Sequence, residues 1–265
     1  MQEQPVVMGI LNVTPDSFYD GGKYLTDKQI LSRAEEILSQ GAAFIDIGAA
    51  STRPGAADVD EETEINRIRH AVTLVRNAFP SAQISIDTWR SSVARCAVGE
   101  GANMINDVSG GVFDSLMPLT IAQLNVPYVL MHTTAKPALM QQLTLAENPI
   151  ASMLQFFGQQ IAIFKDAGCT KLILDPGFGF GKTLEQNYLI LKNLSVFRIF
   201  EFPILIGLSR KSMIYKVLDI APDQALCGTT ALNMLALQNG ADILRVHDVR
   251  EAVQTIKLYQ LYQKQ

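Results

Sequence analysis

Residues 40–48 read QGAAFIDIG, in which the end of an amphipathic pattern is followed by a glycine and a short run rich in Ile and Phe. Residues 167–175 (AGCTKLILD) and 238–246 (QNGADILRV) repeat this order. A glycine commonly ends a helix because it adopts the left-handed conformation without steric cost, and an apolar run after it indicates a strand. The three segments predict a helix–glycine–strand joint that recurs along the chain.

Short apolar runs alternate with longer amphipathic stretches on both sides of these joints. The runs predict eight strands, at 6–11, 44–47, 84–86, 104–105, 128–131, 172–174, 204–206 and 243–246. The stretches predict eight helices, at 27–39, 62–78, 90–98, 114–124, 150–167, 184–193, 223–239 and 249–262. This alternation is typical of βαβ units, and near-continuous apolar runs suit strands that are buried on both faces of a parallel sheet.

Eight strand–helix units are the number in the α/β fold called the (β/α)8 or TIM barrel. Dividing the 265 residues by eight gives about 33 residues for each unit, which is about the length of one βαβ repeat. No linker rich in Pro, Gly or Ser interrupts the pattern. We therefore expect a single domain over residues 1–265, with a doubly wound open sheet as the alternative fold.

Composition and charge exclude several classes of protein. The chain is 48% hydrophobic, and 22 basic against 26 acidic residues give a net charge of −4, which is typical of a globular protein and not of a disordered one. The mild acidity argues against a nucleic-acid partner, which requires clustered Lys and Arg. No apolar run approaches the roughly 18 residues of a membrane span, and no signal peptide is evident. We expect a cytoplasmic protein without membrane association.

The three cysteines, Cys96, Cys169 and Cys227, are widely spaced and odd in number. They therefore predict neither a disulfide framework nor a CxxC metal site. We expect all three to be small buried apolar residues.

Polar residues follow or end every predicted strand, which is where the active site of a TIM barrel lies. They include Asn12, Asp46, Asp87, Asn106, Asp107, His132, Asp175, Ser209, Arg245 and His247. Any one of them alone is explained equally well as a helix cap or turn residue. Eight strand ends in succession, with Arg53, Lys211 and Arg245 beside carboxylates, predict a site for a ligand that is polar at one end and anionic at the other.

A glycine-rich segment, residues 175–183 (DPGFGFGKT), follows the sixth strand. A P-loop would need a glycine at position 176, where the chain has proline, and GxGxG is not the GxGxxG of dinucleotide loops. The segment therefore predicts neither ATP nor NAD binding. It is either an ordinary turn or a loop whose Phe178 and Phe180 flank a flat heterocycle.

Two further segments indicate anion binding. Residues 207–212 (GLSRKS) place Arg210 and Lys211 at the start of a helix, where cations are unfavourable but free N–H groups bind anions. Asn12, Arg245 and His247 lie on the first and eighth strands, which are neighbours in a closed barrel, and they predict a second anion pocket. His247 considered alone would more often be a structural histidine.

Seven motifs occur in order between residues 8 and 249: MGILNVTPDSFYDGG (8–22), STRPGA (51–56), SIDTWR (85–90), INDVSGG (105–111), LILDPGFGFGKT (172–183), GLSRKSMI (207–214) and RVHDV (245–249). Together they resemble the dihydropteroate synthase family over nearly the whole chain. The resemblance implies a TIM barrel, usually a homodimer, that joins p-aminobenzoate to 6-hydroxymethyl-7,8-dihydropterin pyrophosphate and releases pyrophosphate with Mg²⁺ present. This is a step of folate biosynthesis and the target of sulfonamides.

The resemblance also implies roles for individual residues. It implies that the pterin binds Asp87, Asn106, Met131, Asp175, Phe180 and Lys211. It implies that pyrophosphate binds Asn12, Arg245 and His247, with Asn12 also near the metal. For p-aminobenzoate, the implied binding residues are Phe18, Thr52, Arg53, Pro54 and Ser212. The catalytic residues would be Asp87, Asp175, Lys211 and Arg245. Carboxylates and an amide suit a pterin because its edge carries both donors and acceptors. The first two loops are expected to close over the substrates and exclude water.

Two segments depart from the family's pattern. Ala49 and Ala50 stand where members usually have Gly and Glu, which removes a carboxylate near the p-aminobenzoate loop, and residues 131–137 read MHTTAKP instead of MHMQGNP. The inserted Phe of resistant relatives does not occur in residues 51–56, so we expect sulfonamides to compete with p-aminobenzoate.

Two alternative functions share the pterin-binding residues: a pterin-dependent methyltransferase and a non-catalytic pterin-binding relative. The segments TPDSF, STRP, SRK and RVHD favour the synthase, because methyl transfer requires neither a pyrophosphate pocket nor an arylamine loop.

Overall fold

The computed structural model describes residues 4–14, 26–50, 59–134 and 148–264. These residues form eight strands, nine α-helices and two 3₁₀ helices. The strands are β1 Val6–Asn12, β2 Phe44–Gly48, β3 Ile84–Asp87, β4 Met104–Asp107, β5 Tyr128–Met131, β6 Leu172–Asp175, β7 Leu205–Ile206 and β8 Ile243–Val246. The α-helices are α1 Asp27–Ser39, α2 Glu61–Ala78, α3 Ser91–Gly99, α4 Met117–Leu124, α5 Pro149–Asp166, α6 Leu184–Lys192, α7 Ser212–Leu218, α8 Leu226–Gln238 and α9 Val249–Gln263, and the 3₁₀ helices are Leu194–Phe200 and Pro222–Gln224.

The eight strands form one parallel sheet in the order β6-β5-β4-β3-β2-β1-β8-β7. A parallel bridge between Leu174 and Ile204 joins β6 to the segment that enters β7, and the Leu174 N–H donates to the Pro203 carbonyl over 2.8 Å. The sheet is therefore a nearly closed barrel with helices between its strands. The predicted (β/α)8 barrel is confirmed, and the open doubly wound sheet is excluded.

Four strands extend beyond the predicted boundaries into the polar residues that follow them. β1, β3, β4 and β6 end on Asn12, Asp87, Asp107 and Asp175. The prediction ended each strand at its last apolar residue, whereas backbone pairing does not depend on the polarity of the side chain. These side chains are consequently fixed by the sheet itself.

The structure contains one helix that was not among the eight predicted helices. α7, Ser212–Leu218, lies between β7 and α8, and the predicted helix at 223–239 is a 3₁₀ turn followed by α8. At seven residues, α7 is too short for its apolar periodicity to be distinguished from a loop.

The interior of the barrel has two layers because side chains on a strand point alternately to opposite faces. The lower layer is an apolar cluster of Met8, Met104, Val129, Ile173, Leu205 and Ile243. Two residues further along their strands, Asn106, Met131, Asp175 and Arg245 form part of the upper layer. The apolar layer closes the barrel from below and leaves the polar layer at the C-terminal ends of the strands.

The helices pack on the outside of the sheet and form the main core with it. Gly9 in β1 shows how close this packing is, because a Cβ atom there would lie 2.5 Å from Ile37 Cγ2 of α1 and 2.9 Å from Val249 Cγ2 of α9. No larger residue fits without displacing a helix.

The burial of the three cysteines differs from the expectation. Cys169 is buried, but Cys96 is half-buried and Cys227 is exposed, so the expectation that all three cysteines are buried was wrong. Cys227 lies in the first turn of α8, where its side chain faces away from the core.

Among the described residues, no helix has the length and apolar character that crossing a membrane requires.

Candidate active site

Asp46 lies at the centre of the upper layer and is completely buried. Its Oδ1 accepts a hydrogen bond from Ser85 Oγ (2.6 Å), and its Oδ2 accepts from Asn106 Nδ2 (3.0 Å) and Arg245 Nε (2.6 Å). These donors come from β3, β4 and β8 and cross the interior of the barrel. The Asp46 carboxylate therefore fixes one N–H of the Asn106 amide and leaves its carbonyl oxygen and its other N–H to meet a ligand.

Asp87, at the end of β3, is joined to this group through Arg245, whose Nη2 lies 2.8 Å from Asp87 Oδ2. Burial raises the pKa of Asp87 to about 7; Arg245 opposes this rise and Asp46 adds to it. A carboxylate with a pKa this close to neutrality is typical of a functional site.

Asp175 and Lys211 form the opposite side of the site. Burial raises the pKa of Asp175, opposed mainly by Lys211, and Asp175 Oδ1 accepts a hydrogen bond from the Gly177 N–H over 2.7 Å. Burial lowers the pKa of Lys211 to about 8 against the attraction of Asp175. Lys211 Nζ donates to the Phe178 carbonyl and lies 4.7 Å from the centre of the Phe180 ring, a cation–π distance.

Met131 completes this side of the site. It ends β5, is paired in register with Asp175 and is 3% exposed. Together with Phe180 it supplies apolar surface beside the two charged groups. A flat, polar-edged ring is the kind of ligand that such a combination suits.

His247 and Ser209 lie where β8 and β7 end. Ser209 Oγ is 3.0 Å from His247 Nδ1 and accepts a hydrogen bond from the His247 N–H over 3.2 Å. Burial, together with the positive charge of Arg245, lowers the pKa of His247 to about 4. A neutral His247 with its Nδ1 side engaged by Ser209 has its Nε2 atom available for other contacts.

Arg245 has a different environment from the one expected for an anion pocket. The sequence grouped it with Asn12 and His247, and β1 does pair with β8 through Met8 and Arg245. In the structure the guanidinium is bound to the carboxylates of Asp46 and Asp87. Arg245 therefore links the carboxylate side of the site to the β8 side.

Arg210 differs from its neighbour Lys211 in where its side chain goes. Its backbone is left-handed, with φ of 56°, and its guanidinium forms two hydrogen bonds with Asp248, at 2.9 Å and 2.7 Å. This ion pair explains how a cation is tolerated just before α7, and it keeps Arg210 engaged away from Asp175. Ser212 begins α7 and is partly buried.

The expected p-aminobenzoate residues Phe18, Thr52, Arg53 and Pro54 lie outside the described residues. The remaining site residues do converge, and two that the set of expected residues omitted join them. The sequence draws attention to Asp46 among the polar residues of the strands but assigns it no role; the inward alternation of Phe44, Asp46 and Gly48 along β2 places it in the upper layer. Lys182 is the second. The only pattern that included it was the P-loop motif, and the spacing of the glycines excluded that motif.

Known proteins resemble this chain in sequence and in fold. The family model described as "Pterin binding enzyme" matches residues 8–247. The dihydropteroate synthase of Escherichia coli (strain K12) is 41% identical over 256 residues, which cover 96% of this chain and 90% of the relative. The crystal structure of the Yersinia pestis dihydropteroate synthase with a sulfonamide drug complex has a TM-score of 0.94 at 40% identity and covers 99% of this chain and 95% of that one.

A second solved structure contains 4-aminobenzoic acid. The Xanthomonas albilineans dihydropteroate synthase with 4-aminobenzoic acid has a TM-score of 0.91 at 36% identity, covering 98% of this chain and 94% of that one. Sequence similarity and fold similarity therefore agree along nearly the whole chain, and the chain belongs to the pterin-binding enzyme family as a dihydropteroate synthase, a transferase of the pterinylmethyl group.

Proposed function

We propose that Asp87, Asn106, Asp175 and Lys211 bind the edge of the pterin ring, between the apolar side chains of Met131 and Phe180. The observation that carries this proposal is the convergence of these groups above one apolar layer, with Arg245 paired to Asp87 and the charge of Lys211 acting on Asp175. The carboxylates accept from pterin N–H groups, and the Asn106 amide, oriented by Asp46, offers both a donor and an acceptor.

The reaction breaks the C–O bond between the pterin methylene carbon and pyrophosphate, which leaves with the electron pair. The amine nitrogen of p-aminobenzoate forms the new C–N bond and loses a proton. The negative charges of Asp87 and Asp175 favour positive charge on the pterin as the leaving group departs. Arg245 holds Asp87 through an ion pair, and the positive charge of Lys211 balances that of Asp175 before the substrate binds.

Asn12, Arg245 and His247 are proposed to bind the pyrophosphate. A neutral His247 contributes a hydrogen bond instead of a charge, since its pKa is about 4. Asn12 ends β1, and its Oδ1 lies 3.4 Å from where a Cβ of Gly48 would stand. This glycine leaves room for the amide beside Asp87.

The donor set fits Mg²⁺ as a substrate-held ion. Within the described part of the chain, no group of three or more His, Cys, Asp or Glu residues could hold a metal. Mg²⁺ needs few protein ligands because it keeps waters and binds phosphate oxygens, and the amide oxygen of Asn12 is a suitable hard ligand. When bound, Mg²⁺ would neutralise charge on the leaving pyrophosphate.

Phe18, Thr52, Arg53, Pro54 and Ser212 are proposed to bind p-aminobenzoate, and sulfonamides to compete there. Support comes from the Xanthomonas albilineans relative with 4-aminobenzoic acid and the Yersinia pestis relative with a sulfonamide drug complex. A rate that stays unchanged at high sulfonamide and limiting p-aminobenzoate would contradict this assignment. The cytoplasmic location expected from the sequence stays a prediction.

A second copy of the chain is proposed to pack on the face formed by α6, the 3₁₀ helix after it and α7. Large apolar side chains are exposed there: Leu184, Tyr188, Leu189, Val196, Ile199, Val217 and Leu218. Exposed apolar area of this kind is typical of protein–protein interfaces. Sedimentation should give a dimer for the native chain and a monomer for the double variant Ile199→Glu, Val217→Glu.

The decisive experiment supplies dihydropterin pyrophosphate, p-aminobenzoate and Mg²⁺ and measures both products. We expect equal amounts of pyrophosphate and dihydropteroate. Lys211→Ala should lower kcat/KM by about one to two decades, the usual effect of losing a charge-assisted contact. Near-normal turnover in that variant would overturn the role proposed for Lys211.

A further inference from the structure

We propose that Lys182 is a positioning residue that holds the loop of residues 176–181 in the shape required for binding the pterin. The inference rests on the proposed roles of Asp175, Phe180 and Lys211, which this loop connects. It adds a residue that acts on the pterin pocket through the backbone.

The Lys182 ammonium is surrounded by four acceptors. Its Nζ lies 2.8 Å from the Gly177 carbonyl oxygen, 3.0 Å from that of Phe180, 3.2 Å from that of His132 and 3.1 Å from His132 Nδ1. Three of these are backbone carbonyls, two of them within the loop itself. The ammonium thus ties both ends of the loop to the end of β5.

The backbone of the loop is shaped so that its carbonyls meet ammonium groups. Gly177, Gly179 and Gly181 have φ of 68°, 82° and 63°, values that glycine adopts at low cost. A Cβ atom at Gly177 would lie 2.1 Å from the His132 carbonyl oxygen, so the loop is pressed against β5. The carbonyls of Gly177 and Phe180 face Lys182, and that of Phe178 faces Lys211.

His132 acts as an acceptor in this arrangement because it is neutral. Burial and the nearby charge of Lys182 lower its pKa to about 3. Its ring packs edge-on against Phe156, with 4.8 Å between the ring centres. With Nδ1 accepting from Lys182, the ring proton is on Nε2.

Phe180 is held at two points by two different lysines. Its carbonyl accepts from Lys182, and its ring lies against the Lys211 ammonium. The Gly177 carbonyl is likewise bound to Lys182 while its N–H donates to Asp175. Removal of the Lys182 charge would leave the Gly177 and Phe180 carbonyls without this donor and would release the two residues that border the pterin pocket.

The test compares Lys182→Met with Lys257→Met, which removes an exposed lysine of α9. We expect Lys182→Met to raise the KM for dihydropterin pyrophosphate about tenfold or more, since a charge-assisted contact is lost. The KM for p-aminobenzoate should change by less than about twofold, and Lys257→Met should change neither KM. A merely structural role would lower kcat through the loss of folded protein and leave both KM values unchanged, which would overturn the proposal.

His132→Phe provides a second test that does not depend on the folding of Lys182→Met. This variant keeps the aromatic packing and removes one acceptor of the ammonium, so we expect the pterin KM to rise about threefold. An unchanged pterin KM in His132→Phe contradicts the proposal. Asp175→Asn, measured beside it, distinguishes a failure of the positioning role of Lys182 from a failure of the proposed pterin site. If Asp175→Asn leaves the pterin KM unchanged, the proposed pterin site itself is wrong.

Discussion

The two layers inside the barrel come from the same strands, but the lower layer is apolar whereas the upper layer is mostly polar and charged. On β6, Ile173 belongs to the apolar lower layer, and Asp175, two residues later, belongs to the polar upper layer. On β4 the corresponding pair is Met104 and Asn106. A displacement of one strand pleat, about 7 Å, thus separates groups that stabilise the fold from groups that bind the substrate.

This separation means that stability and activity should respond to different substitutions on one strand. The lower layer contributes apolar burial, whereas the upper layer keeps carboxylates in places where burial raises the pKa of Asp87 and Asp175. Burial of a carboxylate opposes folding unless it is compensated. Charge balance from Arg245 and Lys211 makes the upper layer tolerable.

The largest expected effect is in the lower layer. Ile173→Ala should lower the free energy of unfolding by about 2–5 kcal/mol through the cavity it creates. The activity of the folded fraction should stay within about twofold of the native value. Urea unfolding and initial rates at low temperature measure the two quantities, and a large rise in pterin KM with unchanged stability would break the comparison.

Two residues further along β6, Asp175→Asn should have the opposite profile. We expect kcat/KM for dihydropterin pyrophosphate to fall by about one to two decades, because a charge-assisted contact to the pterin is lost. The free energy of unfolding should not fall by more than about 1 kcal/mol, since the replaced carboxylate is buried and its pKa is raised. The same two measurements apply, and parallel losses of stability and activity would argue against separate layers.

The pH dependence of kcat/KM reports on Asp87 and Lys211 in the upper layer, and on Lys182, which holds the loop beside them and whose pKa burial lowers to about 7. Asp87 takes up a proton as the pH falls below about 7, which removes its negative charge, and Lys211 loses its proton as the pH rises above about 8. We therefore expect a bell-shaped profile with its maximum between these values, falling up to tenfold per pH unit on each side.

Lys211→Arg identifies the alkaline side of this profile. Arginine keeps its charge throughout the range, so the part of the alkaline decline that Lys211 causes should disappear, while the acid side and the contribution of Lys182 remain. Substrate ionisation is the same for both enzymes and cancels in the comparison. An alkaline decline as steep in Lys211→Arg as in the native enzyme would exclude Lys211 as a source of it.

The smallest effect is expected just outside the site. Arg210→Gln removes the ion pair with Asp248, in which the two side chains are 30% and 16% exposed. We expect a loss of less than about 1 kcal/mol in the free energy of unfolding, as for most partly exposed pairs. Activity should stay within about twofold of the native value, in contrast to the adjacent Lys211; a tenfold loss would place Arg210 in the site.

Much of this architecture follows from local pattern. Apolar runs separated by amphipathic stretches predicted all eight strands and eight of the nine α-helices in the described part of the chain. The polar residues at strand ends predicted the location of the site, since parallel strands bring their C-terminal ends to one edge. The order of the motifs indicated the family, because each motif matches a separate strand end.

The direction and partners of the side chains depended on the tertiary structure. Asp46 is central because closure of the barrel brings Ser85, Asn106 and Arg245 to it from three other strands. Arg210 and Lys211 are adjacent in sequence, yet Arg210, with its left-handed backbone, pairs with Asp248, whereas Lys211 donates to the Phe178 carbonyl and lies against the Phe180 ring. The sequence by itself determined the barrel and the end that carries the site, because these follow from local periodicity, and it supplied the types of side chain at that end. Only the tertiary structure decided which charges meet, since ion pairing and burial depend on distances across the barrel that no local pattern contains.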